Sequence, residues 1–408
     1  MRTFKIAVIA ALMVGLSFGA YAELQNVLVN GSIRIRGNYY DADSAAISGT
    51  AGWVEQRTRL GVQADFTDNV SAFIELDSYD NWGEDFRSNY VTGVDSRANS
   101  VDDVEIYQAY IDATEMWDTP VYMRIGRQEV LLGSEWLVGN KDTAAFYSGL
   151  SFDGVVAGYG TDMVDVKAMW LKLNENFGDF SDDDVDLYGV YGSYLGLEDI
   201  VLDAYWLFVN DDTLDNDLHT LGLRGAGALG AFDFEAEAAY QFGDRGAGDY
   251  DAFGGNFQVG YTFDMTWQPR PFLGFAYFEG ADGDDAAFNR LFSDWEYTEF
   301  WADGEESNLF VYQAGLGVQP TEAIGLDLLG SYYQADEDNG DDDLGFELGL
   351  YASYAYSEDL TFRAGYAHFF GSDGLEDGNP VQLNGTNAFL ADGNDDGDYL
   401  FFETEIAF

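Results

Sequence analysis

Arg57 and Arg59, in the stretch EQRTRLGVQADF, stand two residues apart, and so do Arg34 and Arg36 in SIRIRGNYY. A guanidinium carries a fixed fork of donors suited to carboxylates and other anions. A spacing of two puts both members of a pair on one face of a strand. The chain holds only 18 Lys and Arg against 74 Asp and Glu, for a net charge of -56. Four arginines at this spacing therefore form a local cationic surface inside an acidic protein. Arg124 and Arg127, in VYMRIGRQEV, are three apart. That spacing places them on opposite faces of a regular strand, unless Gly126 marks a bulge that turns both the same way. Acids are grouped too: Asp233, Glu235 and Glu237 share one face of AFDFEAEAAY, and Glu403 and Glu405 share one face of YLFFETEIAF.

The elements that carry these groups are strands alternating on two sides. In 52–66 one face holds Val54, Gln56, Thr58, Leu60, Val62, Ala64 and Phe66, and the other holds Glu55, Arg57, Arg59, Gln63 and Asp65. In 27–40, Ile33, Ile35 and Tyr39 oppose Arg34, Arg36, Asn38 and Tyr40. If the apolar face meets lipid, the charged face must meet an aqueous lumen, because Arg near a bilayer midplane costs about 2–4 kcal/mol. Pore-lining candidates are then Arg34, Arg36, Arg57, Arg59, Arg124, Arg127, Asp233, Glu235 and Glu237. Two readings stay open: the arginines guide a solute, or they pair with Glu55, Asp65, Glu75 and Asp77 to fill the lumen.

The chain ends support this setting. Arg2 and Lys5 precede the apolar run IAVIAALMVGLSF and the small-residue site GAYA, which is the pattern of a signal peptide over 1–22 and leaves 23–408 as the barrel. There is no Cys, and only 5 Pro against 48 Gly, which suits many pleated strands and excludes thiol chemistry. The last strand alternates and ends in Phe408. It resembles the terminal strand of bacterial outer-membrane barrels, which implies the barrel-insertion machinery as a partner.

Eighteen alternating segments fit, near 27–40, 52–66, 70–83, 102–116, 121–132, 150–160, 163–173, 184–196, 199–210, 217–228, 231–243, 250–264, 270–280, 308–318, 322–335, 343–356, 359–371 and 398–408. Sixteen is the runner-up count. Short connections alternate with long acidic ones such as ADGDD, DEDNGDDD and ADGNDDGD. The expected fold is an all-β transmembrane antiparallel barrel with short periplasmic turns, long extracellular loops and both termini periplasmic. Outer-membrane lipid and lipopolysaccharide surround it.

RTRLGVQADFTDNVSAFIEL, IYQAYID, RIGRQEVLLGSEWLVG and SFDGV, all within 52–160, resemble the alginate-export family of outer-membrane porins. The resemblance implies a monomeric 18-stranded barrel with an arginine-rich pore for an anionic polysaccharide. It also implies that Arg57, Arg59, Arg124 and Arg127 line that pore, and that 133–149, with Trp136 and Lys141, shapes its mouth or a constriction. The chain departs from that pattern in having four lysines among so many acids.

Asp392, Asn394, Asp396 and Glu403 match a calcium-loop spacing. The final strand draws Glu403 away, leaving Asp392, Asn394, Asp396 and Asp398 as a candidate Ca²⁺ site; no other cofactor is expected. The acidity argues against nucleic-acid partners. His219 and His368 are the only histidines and sit in no catalytic motif, so an enzyme is not expected. The alternative to a channel for hydrophilic solutes is a structural or adhesive surface barrel with cation-binding acidic loops.

Overall fold

The computed structural model describes residues 24–43, 48–83, 104–142, 149–175, 184–246, 248–283, 285–300, 306–338, 340–376, 381–383, 386–388 and 396–408. The signal-like segment 1–22, together with Asp392 and Asn394 of the candidate cation loop, lies outside these residues.

The alternating segments become strands. The first nine are β1 Asn26–Asp43, β2 Ser48–Thr67, β3 Val70–Asn81, β4 Glu105–Met116, β5 Val121–Gln128, β6 Phe152–Gly160, β7 Val164–Asn174, β8 Val185–Leu197 and β9 Ile200–Asp211. There follow β10 Asn216–Leu229, β11 Phe232–Arg245, β12 Gly248–Tyr261, β13 Arg270–Phe278, β14 Glu306–Ser307, β15 Leu309–Thr321, β16 Ile324–Ala335, β17 Asp343–Ala355 and β18 Leu360–Gly371. The last are β19 Val381–Leu383, β20 Thr386–Ala388 and β21 Gly397–Ala407. Eighteen of them form one antiparallel sheet that closes where β1 pairs with both β2 and β21. The short β14, β19 and β20 make a separate sheet in the connections. The barrel thus has the 18 strands that the alternation implies.

Burial follows the same period. On β2, Glu55, Arg57 and Arg59 are buried, while Leu60 and Val62 lie on the exposed side. Exposed Val29, Ile74, Ile111, Leu202, Leu273 and Leu350 belong to a continuous apolar outer wall, as a lipid-facing band requires. Trp117, Trp267, Tyr356 and Phe408 stand exposed at the short-turn end, where aromatic rings mark a membrane interface. No helix among the described residues is long and apolar enough to cross a membrane; the strands do so.

An 18-stranded barrel is too wide for its own side chains to fill. Here two connections fold inward. The alternation over 121–132 suggests one strand, yet β5 ends at Gln128 and the chain leaves the wall. Val130 and Leu132 are buried at 5% and 6% inside the barrel, so the apolar pattern continues but serves a loop. Residues 129–142 meet residues 285–299: the Phe292 N–H donates to Leu137 O at 2.8 Å, and the Gly139 N–H donates to Phe292 O at 2.9 Å. Trp136, Phe288 and Val138 are fully enclosed between these loops and inward residues such as Leu171, Phe278 and Tyr333. The hydrophobic core of this protein therefore sits in the lumen.

Candidate functional site

The arginine layer is assembled by β1, β2, β21 and the first inward loop. Arg34 faces Arg57 across the β1–β2 ladder and Glu405 across β1–β21. All four arginines point inward, with Arg36 1% and Arg57 3% exposed. One carboxylate gathers three of them. Asp142, at the end of the inward loop, pairs with Arg57, with Arg59 at 3.0 Å and with Arg34 at 3.4 Å. Arg34 also reaches Glu403 at 3.0 Å, and Arg59 reaches Asp77 at 3.0 Å. Two rings complete the layer, Tyr107 beneath Arg59 and Phe401 beneath Arg36, each 3.9 Å from the guanidinium carbon. Asp142 is itself positioned by its N–H, which donates to Asp294 of the second loop at 3.0 Å. Asp294 and Glu135 sit together between the loops, where burial pushes the Glu135 carboxyl above its ordinary range.

The remaining candidates separate. Arg124 points inward, donating to Asp112 at 2.7 Å. With Asn30, Gln63, Gln108, Tyr110 and Lys167 it lines a cavity of about 590 Å³ on the short-turn side of the arginine layer. Arg127 does not join it. Its side chain is 45% exposed and pairs with Asp153 at 2.8 Å, on the outer face shared with Ile125. Gly126 does have a φ of 131°, but a side chain there would meet Ala109 O at 2.2 Å. It is a close-approach glycine rather than a parity switch. The bulge lies one strand earlier, where the register shifts between Glu75 and Leu76 and leaves Tyr107 as the extra residue. The Arg127–Asp153 pair thus lies outside the wall, away from the lumen. Arg127→Gln is therefore expected to leave ion selectivity unchanged, as a reversal potential in planar bilayers would show.

Asp233, Glu235 and Glu237 all face inward, each beside a base that the grouping of acids concealed. Arg224 of β10 pairs with Asp203 and Glu235, both at 2.8 Å, and with Glu237 at 3.8 Å. Arg270 pairs with Asp233. Arg363 of β18 holds Glu403 and Glu405 at 2.5 and 2.8 Å. The acidic grouping is thus only partly offset, since the two guanidiniums of Arg224 and Arg270 stand among the four carboxylates Asp203, Asp233, Glu235 and Glu237. Of the mouth and the constriction, Trp136 belongs to the second: it is fully buried where the inward loops narrow the lumen, and its indole N–H donates to Tyr297 OH at 3.1 Å. The second inward loop went unforeseen, although AAFNRLF and WEYTEFW are unusually apolar for a solvated loop. Of the candidate cation ligands within the described residues, Asp396 is exposed and Asp398 accepts from Tyr366 OH at 2.5 Å and faces His368 at 2.8 Å. No cluster of three acids, histidines or cysteines that could hold a metal ion occurs among the described residues.

Comparison with known proteins decides the family. The family model described as alginate export matches residues 26–340. The chain belongs to the alginate export family. Its fold is shared with solved barrels at low identity. Acinetobacter baumannii OccAB3 superposes with a TM-score of 0.62 at 13% identity, covering 93% of this chain and 99% of that one. A. baumannii OccAB4 gives 0.60 at 12%, covering 95% and 100%. Pseudomonas aeruginosa OccK11 (OpdR) gives 0.58 at 12%, covering 93% and 96%. No functionally curated protein matches the chain. This alginate export family member is an outer-membrane barrel channel for solute diffusion or export.

Proposed function

We propose that the arginine layer, closed by Asp142, is the selectivity constriction of a passive channel for hydrophilic charged solutes, including oligo- or polysaccharides. The observation that carries this reading is the convergence of Arg34, Arg57 and Arg59 on one loop carboxylate in a lumen narrowed by two inward loops. Positive charge held in a low-dielectric wall focuses its field on passing ions. The short turns and both termini face the periplasm, the long acidic loops face outward, and the barrel works as a monomer inserted through its C-terminal strand. Lipopolysaccharide borders its outer rim. We read it as a conduit and not an enzyme, since His219 stacks on Phe208 and His368 faces Asp398 at the rim.

Removing the negative charge at Asp142 tests the constriction directly. One unit charge 5–8 Å from a permeating ion changes its energy by about 0.5–0.8 kcal/mol at the dielectric of water. Asp142→Asn is therefore expected to raise anion permeability and to lower cation permeability, each by about two- to fourfold at low salt, with the shift shrinking at high salt. An unaltered reversal potential in planar bilayers would remove Asp142 from the ion path. A second reading is favoured by the dense packing of the inward loops: a closed barrel whose acidic outer loops, with Ca²⁺ at Asp392, Asn394, Asp396 and Asp398, form the working surface. A wild-type barrel that inserts but does not conduct would select it.

A further inference from the structure

We propose that the cavity on the short-turn side of the arginine layer is a binding subsite for an uncharged, hydroxyl-rich saccharide unit; that this ligand is a solute in passage rests on the reading of the lumen as a conduit. The cavity is enclosed by inward residues of β1 to β7 and by Glu129, Val130 and Leu131 of the first inward loop. Its volume of about 590 Å³ falls within the roughly 300–1,000 Å³ of small-molecule sites. The lining is mixed: amides, hydroxyls and charged groups alternate with aromatic rings.

A sugar ring presents hydroxyls that both donate and accept, and a face of C–H groups that packs on apolar planes. Both kinds of surface find partners here. The Phe73 ring lies over inward Gly61, and the Tyr122 ring over inward Gly158, where there is no room for a side chain. The Tyr110 ring is held 5.3 Å from Phe73 and 4.1 Å from the Arg124 guanidinium carbon, which fixes the direction of its hydroxyl. That hydroxyl and the Asn30 side-chain amide make no hydrogen bond among the described residues. Lys167 reaches Asp165 only at 3.6 Å. Gln108 is locked instead: its amide donates to Glu75 at 2.8 Å, and its carbonyl accepts from the Glu129 N–H at 3.2 Å. Spare donors and acceptors thus stand on a fixed frame, which lowers the ordering cost of binding.

Charge selects among ligand classes. Three carboxylates, Glu75, Asp112 and Glu129, stand against two cations, Arg124 and Lys167. Arg124 is already engaged by Asp112 at 2.7 Å. Behind this set, Arg59 reaches Glu129 at 3.6 Å and Asp165 faces Lys167, so the excess of negative charge stays. A uronate chain would bring its carboxylates against Glu75 and Glu129, and such like-charge contacts are costly. An amine would be drawn to Glu75 but would meet Arg124 and Lys167 across the same cavity. A neutral polyol meets neither penalty and uses both the rings and the spare hydrogen-bonding groups. The lumen thus holds two layers of different chemistry, guanidiniums for charge and, toward the short turns, amides and rings for hydroxyls.

The test is calorimetric titration of the folded barrel, held in a zwitterionic detergent without sugar head groups. Maltotriose is the neutral probe, and a galacturonate trimer and putrescine are the anionic and cationic ones. Wild type is expected to bind maltotriose at least about fivefold more tightly than either charged probe, a comparison that needs no variant. Asn30→Ala with Tyr110→Phe should weaken maltotriose by at least about fivefold, since each neutral hydrogen bond is worth about two- to tenfold. Phe73→Leu keeps Gly61 covered but removes the ring, and should weaken it severalfold. Arg127→Gln, outside the wall, should bind as wild type does. No binding of maltotriose, equal binding by the Asn30→Ala, Tyr110→Phe double variant, or tighter binding of either charged probe overturns the subsite. Binding in micelles does not require conduction. A barrel that binds maltotriose but does not conduct would overturn the conduit reading and leave the subsite; one that conducts without binding would do the reverse.

Discussion

Arg57→Glu with Arg59→Glu is expected to raise cation permeability by about fourfold at physiological salt and about thirtyfold at very low salt, and to lower anion permeability by the same factors. The substitution moves four charge units on one wall. At about 8 Å and the dielectric of water these contribute about 2 kcal/mol to the energy of a monovalent ion. A Debye length of about 8 Å cuts that to roughly a third at 0.15 M. The new carboxylates would also face Asp77, Glu129 and Asp142, which Arg59 and Arg57 now hold. The first inward loop should therefore lose its tether, and single-channel current should become larger and noisier. Arg57→Gln with Arg59→Gln separates the two effects, because it removes the attraction without adding repulsion and should give about half the selectivity change in kcal/mol. Reversal potentials that do not move in either double variant, in barrels shown to be folded, would exclude these arginines from the ion path.

The parity of those arginines was legible from sequence because it is a local property. Once Leu60 and Val62 are assigned to lipid, Arg57 and Arg59 have no other direction available. The same reasoning located Arg34 and Arg36, and the lengths of the alternating segments gave the strand count. It went astray at Arg127, where Gly126 between the two arginines suggested a bulge. The backbone of β4 passes too close for any side chain at Gly126, and a glycine required by close approach looks the same in sequence as one required by a turn. The bulge at Tyr107 left no comparable mark.

Ion partners were less legible than directions. Asp142, Arg224 and Arg270 decide the electrostatics of the lumen, but Asp142 meets its partners from a loop that folds back, Arg224 of β10 meets them on the neighbouring β9 and β11, and Arg270 of β13 reaches Asp233 two strands away on β11. Glu237 looked like part of an acidic wall because its neighbours in sequence are acids, while its neighbour in space is Arg224. Acidic stretches such as ADGDD likewise suggested long connections that stay outside the barrel. Residues 285–299 carry Phe288, Leu291, Trp295 and Tyr297 as well as acids, and it is these apolar residues that send the loop into the lumen. Composition averaged over a loop hides this, whereas the same residues treated as a candidate core segment would have signalled it.

Arg290→Ala should open the lumen without unfolding the barrel. Arg290 is fully buried in the second inward loop, pairs with Glu306 at 2.5 Å, donates to Ser293 Oγ at 3.0 Å and to the Trp295 carbonyl, and lies 4.6 Å from the Phe278 ring centre. Truncation removes the guanidinium from Glu306, which is 2% exposed, and breaking a buried ion pair by removing one partner costs about 3–5 kcal/mol. The barrel wall is a closed ladder of eighteen strands that does not depend on this pair, so the cost falls on the loop. The loop can escape it by leaving the lumen and hydrating Glu306. Higher conductance and proteolytic cleavage within 281–300 are expected, with the thermal unfolding of the barrel nearly unchanged. Arg290→Met combined with Glu306→Gln removes both charges and should restore most of the protection, since the pair's desolvation cost disappears along with its attraction. If Arg290→Ala lowers barrel stability but leaves conductance and cleavage as in wild type, the inward loop is part of the wall's own folding unit and cannot act as a movable constriction.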